Sequence, residues 1–375
     1  MSAPAIFASS LAALGARGRL RQLMPNAGRD FASNDFLGLS SDPEIARAVA
    51  EAALAGVPVG SGGSRLLRGN APEHEALEAQ AAAFFGSEAA LYFANGFVAN
   101  MALLSCLPQR GDLIVADELV HASAHDGIRQ SKAAHLFARH NDPQSFADLI
   151  AGWRQEGGTG RVWIAVETLY SMDGDIAPLD ALNEIAAQHD AMLLIDEAHA
   201  TGVFGPSGRG IGASLEGQAN VVSLHTCGKG LGVEGALVCG TRNVIDWLIN
   251  RARPFIFSTA PSPLMAVAVS AALRRVEAAD DLRAQVTGLR DRAAQAICAP
   301  LGLPMPQSQI LPVILGDDKR TMAVAATLQD AGFDVRGIRP PTVAPGTSRL
   351  RISLTLNVGP DDVDALGMAL QEALA

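Results

Sequence analysis

The stretch Met-Leu-Leu-Ile-Asp-Glu-Ala-His, residues 192–199, decides the fold. Four apolar residues in a row, without alternation, read as a strand buried on both faces. Such strands build parallel sheets covered by helices. The pattern recurs on either side. Residues 162–167 and 221–225 are apolar runs that end on polar residues, and 90–93, 113–116 and 236–239 are shorter ones. Helical patterns alternate with them. Residues 73–85 are stopped by Gly86, Asn95-Gly96 opens a helix to about Leu107, another starts near His121, and a fourth covers 178–189. The expectation is an α/β fold with a mainly parallel sheet flanked by helices.

The pattern changes after about Pro261. Helical stretches fill 262–298, and then ILPVIL, FDVRGI and RLRISL alternate with helices. This reads as a smaller C-terminal α/β domain. The expected division is an N-terminal segment (1–34) packing with the small domain, a large domain (35–262), and the small domain (263–375). A helix over 263–279 joins the two, and a short N-terminal helix is expected to end near Arg21.

Composition narrows the class. The 375 residues are 49% hydrophobic and 18% charged, which suits a well-buried core. Net charge is −10 and there is no basic tract, which argues against a nucleic-acid partner. No apolar run reaches the ~18 residues that span a bilayer. The N-terminus lacks the basic start and longer apolar run of a secretory signal. Cys106, Cys227, Cys239 and Cys298 match neither a zinc cluster nor a redox pair, so reduced thiols in a cytoplasmic protein, with no metal site, are expected. Only three lysines occur. Lys132 and Lys319 have ordinary polar neighbours, whereas Lys229 follows an apolar strand inside a glycine cluster.

In open α/β sheets, ligands bind beyond the carboxyl ends of the strands. Glu167 leads there to Ser171, Ile195 leads to Asp196 and His199, and Val222 leads to Thr226 and Lys229. A carboxylate at the end of a buried strand needs a partner. Taken alone, Asp196 is a helix cap, half of a salt bridge, or the partner of a cationic ring nitrogen. The last would keep a pyridinium protonated as an electron sink, with His199 at the ring's other polar edge. Lys229 among Gly228, Gly230 and Gly232 suits an amine that forms an imine with an aldehyde. The bland alternative is a glycine-rich turn with an exposed lysine. Asn95 can cap a helix whose first N–H groups suit a phosphate, and Thr226 can add a hydroxyl. His121 either lies flat on a planar ring or caps its helix. Gly230-Leu-Gly232-Val-Glu-Gly235 formally matches a dinucleotide fingerprint of an NAD(P)-binding dehydrogenase, but the segment after it reads as a strand where that motif needs a helix.

Together these segments resemble the α-oxoamine synthases, a family of fold-type-I enzymes that use pyridoxal 5'-phosphate. The likeness runs from about residue 20 to the C-terminus. It is carried by FASNDFLGLS (31–40), GSGGSRLLRGN (60–70), ANGFVAN (94–100), DELVHAS (117–123), SMDGD (171–175), IDEAHATGVFG (195–205), HTCGKGLG (225–232) and RPFIFSTAPSP (253–263). The resemblance implies that Lys229 is the Schiff-base lysine, that Asp196 pairs with the pyridine nitrogen, and that His199 and Ser171 serve the ring hydroxyl edge. It implies that His121 stacks on the ring and that Gly96, Phe97 and Thr226 hold the phosphate. Lys229, His121 and Asp196 are then the catalytic residues. Ser258 and Thr259 match a segment that reaches the partner subunit's cofactor, so a homodimer is implied. Arg351 matches the arginine that holds the amino-acid carboxylate, with Asn34 nearby, and Arg21 and Thr342 match substrate contacts. Within the family, IRPPTVAPGTSRLRISLT (338–355) and SNDFLGLS (33–40) favour L-alanine and a pimeloyl thioester, pimeloyl-CoA or pimeloyl-ACP. Other members, among them serine palmitoyltransferase, 5-aminolevulinate synthase, 2-amino-3-ketobutyrate ligase and aminoketone signal synthases, differ in amino acid and acyl donor. Three positions depart from the usual pattern: Gly230 for alanine, Cys227 for Leu or Phe, and Glu234 for a small residue. Glu234 bears on the acyl pocket.

Overall fold

A computed structural model describes residues 3–375, with side chains from Ile6 onward. Met1 and Ser2, the start of the expected N-terminal helix and segment, lie outside the described residues. The chain forms two compact units. One comprises the residues up to Phe36, Met172–Gly174 and Ala284–Ala375, and the other comprises Leu37–Ser171 and Asp175–Arg283.

The first unit opens with helix α1 (Ala3–Ala16) and the short strand β1 (Arg29–Asp30). Helix α1 stops earlier than Arg21 because Gly18 takes a left-handed φ of 66° and the N–H of Arg19 bonds back to Leu14 O at 2.8 Å.

The second unit runs through α2 (Pro43–Leu54), α3 (Pro72–Phe85), β2 (Ala89–Phe93), α4 (Gly96–Cys106), β3 (Leu113–Asp117), α5 (Ala122–Gln130), β4 (Ala134–Ala138), α6 (Pro143–Gln155), β5 (Val162–Glu167), α7 (Leu179–Gln188), β6 (Met192–Asp196), β7 (Val221–Thr226), β8 (Ala236–Gly240), α8 (Arg242–Arg251), α9 (Arg253–Ile256) and α10 (Pro263–Glu277). Its strands form one seven-stranded sheet in the order β2-β8-β7-β6-β5-β3-β4. Strands β7, β6, β5, β3 and β4 are parallel, while β8 runs antiparallel to both β7 and β2. The sheet is therefore mainly parallel, and its antiparallel strand follows a tight turn that carries Lys229.

Successive residues of each strand go to opposite faces. Ile114, Ala116, Ala165, Leu194 and Val222 pack in a core with residues of α4, α5 and α8. Leu113, Val115, Ile164, Val166, Leu193 and Ile195 pack in a second core with residues of α6 and α7. Both faces are dry, which is why the strands read as unbroken apolar runs. Strand β4 escaped the sequence pattern because it is an edge strand, mostly exposed, with the sequence Ala-His-Leu-Phe-Ala. Helix α10 buries Ala266, Val269, Ala272, Leu273 and Val276 and packs on α2 and α3.

The chain returns to the first unit with α11 (Asp280–Ala293), a π-helical turn (Ala294–Cys298), α12 (Ala299–Leu301), β9 (Ile310–Gly316), α13 (Asp318–Asp330), β10 (Phe333–Asp334), β11 (Arg336–Ile338), β12 (Ser348–Ser353) and α14 (Pro360–Leu374). Strands β11-β12-β9 form an antiparallel sheet, and β1 pairs in parallel with β10. Phe31, Leu311, Leu328, Leu350, Ile352 and Leu366 belong to its core.

Candidate active site

Strands β3, β5, β6 and β7 end on Asp117, Glu167, Asp196 and Thr226, so one edge of the large sheet carries a row of polar side chains. Just beyond β7 the chain turns back into β8. The turn is closed by Cys227 N–H to Gly235 O at 2.9 Å and Val233 N–H to Cys227 O at 2.8 Å. Lys229 sits in this turn, half-buried, with Nζ 2.8 Å from Nε2 of the buried His199. A Cβ on Gly230 would stand 2.2 Å from Thr201 O, so backbone contact explains a glycine where alanine was expected. Cys227 is fully buried, and that burial pushes its thiol pKa up. It is a core residue rather than a nucleophile.

Asp196 is fixed at both oxygens. Oδ1 accepts from Ala198 N–H at 2.9 Å and Oδ2 from Asn100 Nδ2 at 2.7 Å. Asn100 is a buried polar residue on the otherwise apolar α4, and it also lies 3.1 Å from Ser123 Oγ. Ser123 in turn stands against His121, the N-cap of α5. His121 is exposed as a residue, but its Nδ1 edge is turned inward onto Ser123, and Phe97 stands edge-on to its ring at 6.5 Å. Next to Asp196 in the sheet, Glu167 is buried, and desolvation together with the Asp196 charge raises its pKa to about 8. It therefore holds a proton at neutral pH.

Helix α4 begins at Gly96, and Asn95 Oδ1 accepts from Val98 N–H at 2.9 Å. The N–H groups of Gly96 and Phe97 have no intrahelical partner. Thr226 faces this helix start. A Cβ on Gly96 would meet Thr226 Cγ2 at 2.6 Å, and Thr226 Oγ1 is buried with no hydrogen-bond partner. Ser171 is buried in the segment after β5, while Ser258 and Thr259 are exposed. Glu234 is also exposed, and its carbonyl accepts from Tyr92 OH at 2.9 Å.

In the first unit, considered by itself, Arg351 lies on β12 with Nη1 2.8 Å from Ser353 Oγ and Nη2 3.0 Å from Asn34 Oδ1. Asp30 holds the turn that carries Asn34, accepting from the N–H groups of Ala32 and Ser33 and from Asn357. Arg21 Nη2 donates to Thr342 Oγ1 at 3.1 Å. The two candidate substrate pairs, Arg351–Asn34 and Arg21–Thr342, are thus each brought together.

The edge of the large sheet fits pyridoxal phosphate. Thr226 supplies an unsatisfied buried hydroxyl beside a helix start, Asp196 is an anchored acceptor, and Lys229 is an amine within reach of His199. The family model for aminotransferase classes I and II matches residues 28–366. An 8-amino-7-oxononanoate synthase from Paraburkholderia xenovorans (strain LB400) is 43% identical over 351 residues, 91% of this chain and 88% of that one. The chain belongs to the 8-amino-7-oxononanoate synthase family. A solved 8-amino-7-oxononanoate synthase from Francisella tularensis matches with a TM-score of 0.79 at 28% identity, covering 92% of this chain and 98% of that one. A serine palmitoyltransferase from S. paucimobilis, solved with bound PLP, matches with a TM-score of 0.88 at 26% identity, covering 98% and 96%. As a member of the 8-amino-7-oxononanoate synthase family, the chain is a pyridoxal-phosphate-dependent acyltransferase.

Several residues around this site escaped the sequence reading. Asn100 and Ser123 link Asp196 to His121. A second network holds the segment after β5: His140 donates from Nδ1 to Asp117 at 2.9 Å and from Nε2 to Asp175 at 2.8 Å. Asn141, at a left-handed φ of 51°, adds its N–H to Asp117 and its Nδ2 to Asp175. Burial alone would lower the His140 pKa, but the two carboxylates raise it to about 10. A signal for Asn100 was present in the sequence, since it is a polar residue one turn after Gly96 on an apolar helix and so needs a buried partner.

Proposed function

We propose that the enzyme condenses L-alanine with a pimeloyl thioester, carried on coenzyme A or an acyl-carrier protein, to give 8-amino-7-oxononanoate, CO₂ and the free thiol carrier, a step of biotin biosynthesis. The observation that carries this reading is Lys229 Nζ 2.8 Å from His199 Nε2 at the strand edge that ends in Asp196, in a chain 43% identical to an 8-amino-7-oxononanoate synthase. Pyridoxal phosphate, when bound, supplies an aldehyde for the amine and a protonated ring that withdraws electrons from the substrate α-carbon.

The chain's own residues do the rest. Lys229 would hold the cofactor, and its free amine would serve as the general base for the alanine α-proton. Asp196, held by Asn100 and Ala198, would accept the ring N–H and favour the protonated ring. His199 and Ser171 serve the ring hydroxyl edge. The N–H groups of Gly96 and Phe97, with the Thr226 hydroxyl, take the phosphate. His121 would lie against the ring and meet the acyl donor. Arg351 with Asn34 takes the alanine carboxylate, and Arg21 and Thr342 contact substrate. Ser258 and Thr259 reach the cofactor of a second copy, so the working form is a cytoplasmic homodimer. Residues 35–262, extended by α10 to Arg283, act as the cofactor domain, and the residues after Arg283 with the N-terminal segment act as the small domain.

The test is purified protein with a panel of amino acids and acyl thioesters, following thiol release. Release with alanine and pimeloyl-CoA is expected. Release with glycine and acetyl-CoA alone would sink the substrate assignment. Borohydride should fix the cofactor on Lys229, and finding it on Lys132 or Lys319 would overturn the role of that lysine.

A further inference from the structure

Asp196 and His121 are joined by a chain of hydrogen bonds whose directions are all determined. Asn100 Nδ2 lies 2.7 Å from Asp196 Oδ2 and 3.1 Å from Ser123 Oγ. A carboxylate only accepts, so the amide turns its nitrogen to Asp196, and its second hydrogen goes to the serine oxygen. Ser123 Oγ stands 2.7 Å from His121 Nδ1, and the Ser123 backbone N–H points at the same nitrogen at 3.2 Å. A backbone N–H can only donate, so Nδ1 is an acceptor and carries no proton. With its oxygen already accepting from Asn100, the serine hydroxyl also directs its hydrogen to Nδ1.

We infer that Ser123 and Asn100 are positioning residues that hold His121 as the neutral tautomer with its proton on Nε2, so that His121 meets the substrate as a hydrogen-bond donor and not as a base. This rests on the function proposed above and narrows the part of His121 within it. Placing a proton on Nδ1 would set one N–H against another at the positive end of α5. Desolvation lowers the His121 pKa, Lys229 and His125 lower it further, and Asp196 opposes them. Nε2 has no protein partner among the described residues. Its N–H is available to polarise the thioester carbonyl during acylation, while proton removal falls to Lys229. The same amide that orders this chain also orients Asp196, so the group meeting the ring face and the group meeting the ring nitrogen share one scaffold.

The experiment is nitrogen NMR of the holoenzyme labelled with ¹⁵N-histidine, recorded without substrate, with His121→Gln used to assign the ring signals. The expected spectrum shows a bare Nδ1 and a protonated Nε2 at neutral pH, with titration below the ordinary value of 6.5. Ser123→Ala removes the 2.7 Å hydroxyl contact and leaves Nδ1 only the longer 3.2 Å backbone N–H, so the second tautomer should become detectable and kcat fall ~10-fold, with the KM for alanine changed less than ~3-fold. Ser123→Thr, which keeps the hydroxyl, should restore both. A proton on Nδ1 in the wild type, or a cationic ring at neutral pH, overturns the inference. So does an unchanged spectrum in Ser123→Ala, because a merely structural serine would shift thermal stability and leave the tautomer alone. If Ser123→Ala does not fold, the wild-type and Ser123→Thr spectra still decide. An enzyme with the expected spectrum that fails on alanine and pimeloyl-CoA counts against the proposed substrates and leaves the tautomer assignment standing.

Discussion

Two histidines of the large unit, His121 and His140, both sit beyond the strand ends and are linked to aspartates, yet one is neutral and the other a cation. His121 meets Asp196 only through Ser123 and Asn100, and a backbone N–H occupies its Nδ1. Desolvation then wins and the ring stays neutral. His140 touches two carboxylates directly, one at each nitrogen, and becomes a cation although burial opposes it. An intervening amide and hydroxyl carry orientation without delivering the full carboxylate charge. A direct contact delivers both. The first arrangement suits a group that must meet substrate, and the second suits a clamp.

This contrast can be broken from either side. Asp196→Asn leaves the Asn100 amide without its ordering carboxylate and the cofactor ring without its acceptor. Turnover should fall ~10³-fold, with cofactor still bound by its absorption band. Near-normal turnover would rule out the electron-sink role. His140→Gln leaves Asp117 and Asp175 facing each other without a cation. Denaturant unfolding should show a loss of about 3 kcal/mol, with a smaller drop in turnover.

The pH dependence sharpens the difference. His140 has a folded pKa of about 10 against an ordinary 6.5, so its stabilisation is fully present below 6.5 and is lost as pH rises through about 10. Wild-type protein should lose stability over that window relative to His140→Gln. Glu167 gives the smallest effect on turnover. Its folded pKa of about 8 exceeds the ordinary 4.5, so the folded state binds a proton that the unfolded chain releases between those values. Stability should fall as pH rises across that range, and Glu167→Gln should flatten the slope while changing turnover less than ~3-fold. An unchanged slope would place the proton elsewhere.

The parallel core of the sheet was legible because strands dry on both faces leave unbroken apolar runs, as in residues 192–195 and 162–166. Strand β4 was not, because an exposed edge strand buries too little to impose a pattern. The antiparallel direction of β8 depends on a turn whose geometry no periodicity reports. At the site, Lys229 stood out by its scarcity and its glycine neighbours, and Asp196 by ending an apolar run. Asn100, Ser123, His140 and Asp175 act through partners brought close only by folding, 96 residues apart for Asn100 and Asp196 and 35 for His140 and Asp175. Asn100 left only the mark of a polar residue on an apolar helix, and His140 and Asp175 left none.

The smaller unit is gathered from three stretches of chain, and its strand β1 pairs with β10, Phe333–Asp334. On the ribosome, residues 29 and 30 must therefore wait for residues 333 and 334 to be synthesised, whereas every residue of the larger unit has emerged by then. Synthesis order alone lets the larger unit fold first and leaves the N-terminal segment, with Phe7, Leu11 and Leu23 exposed even in the finished fold, as the part that needs shielding during translation.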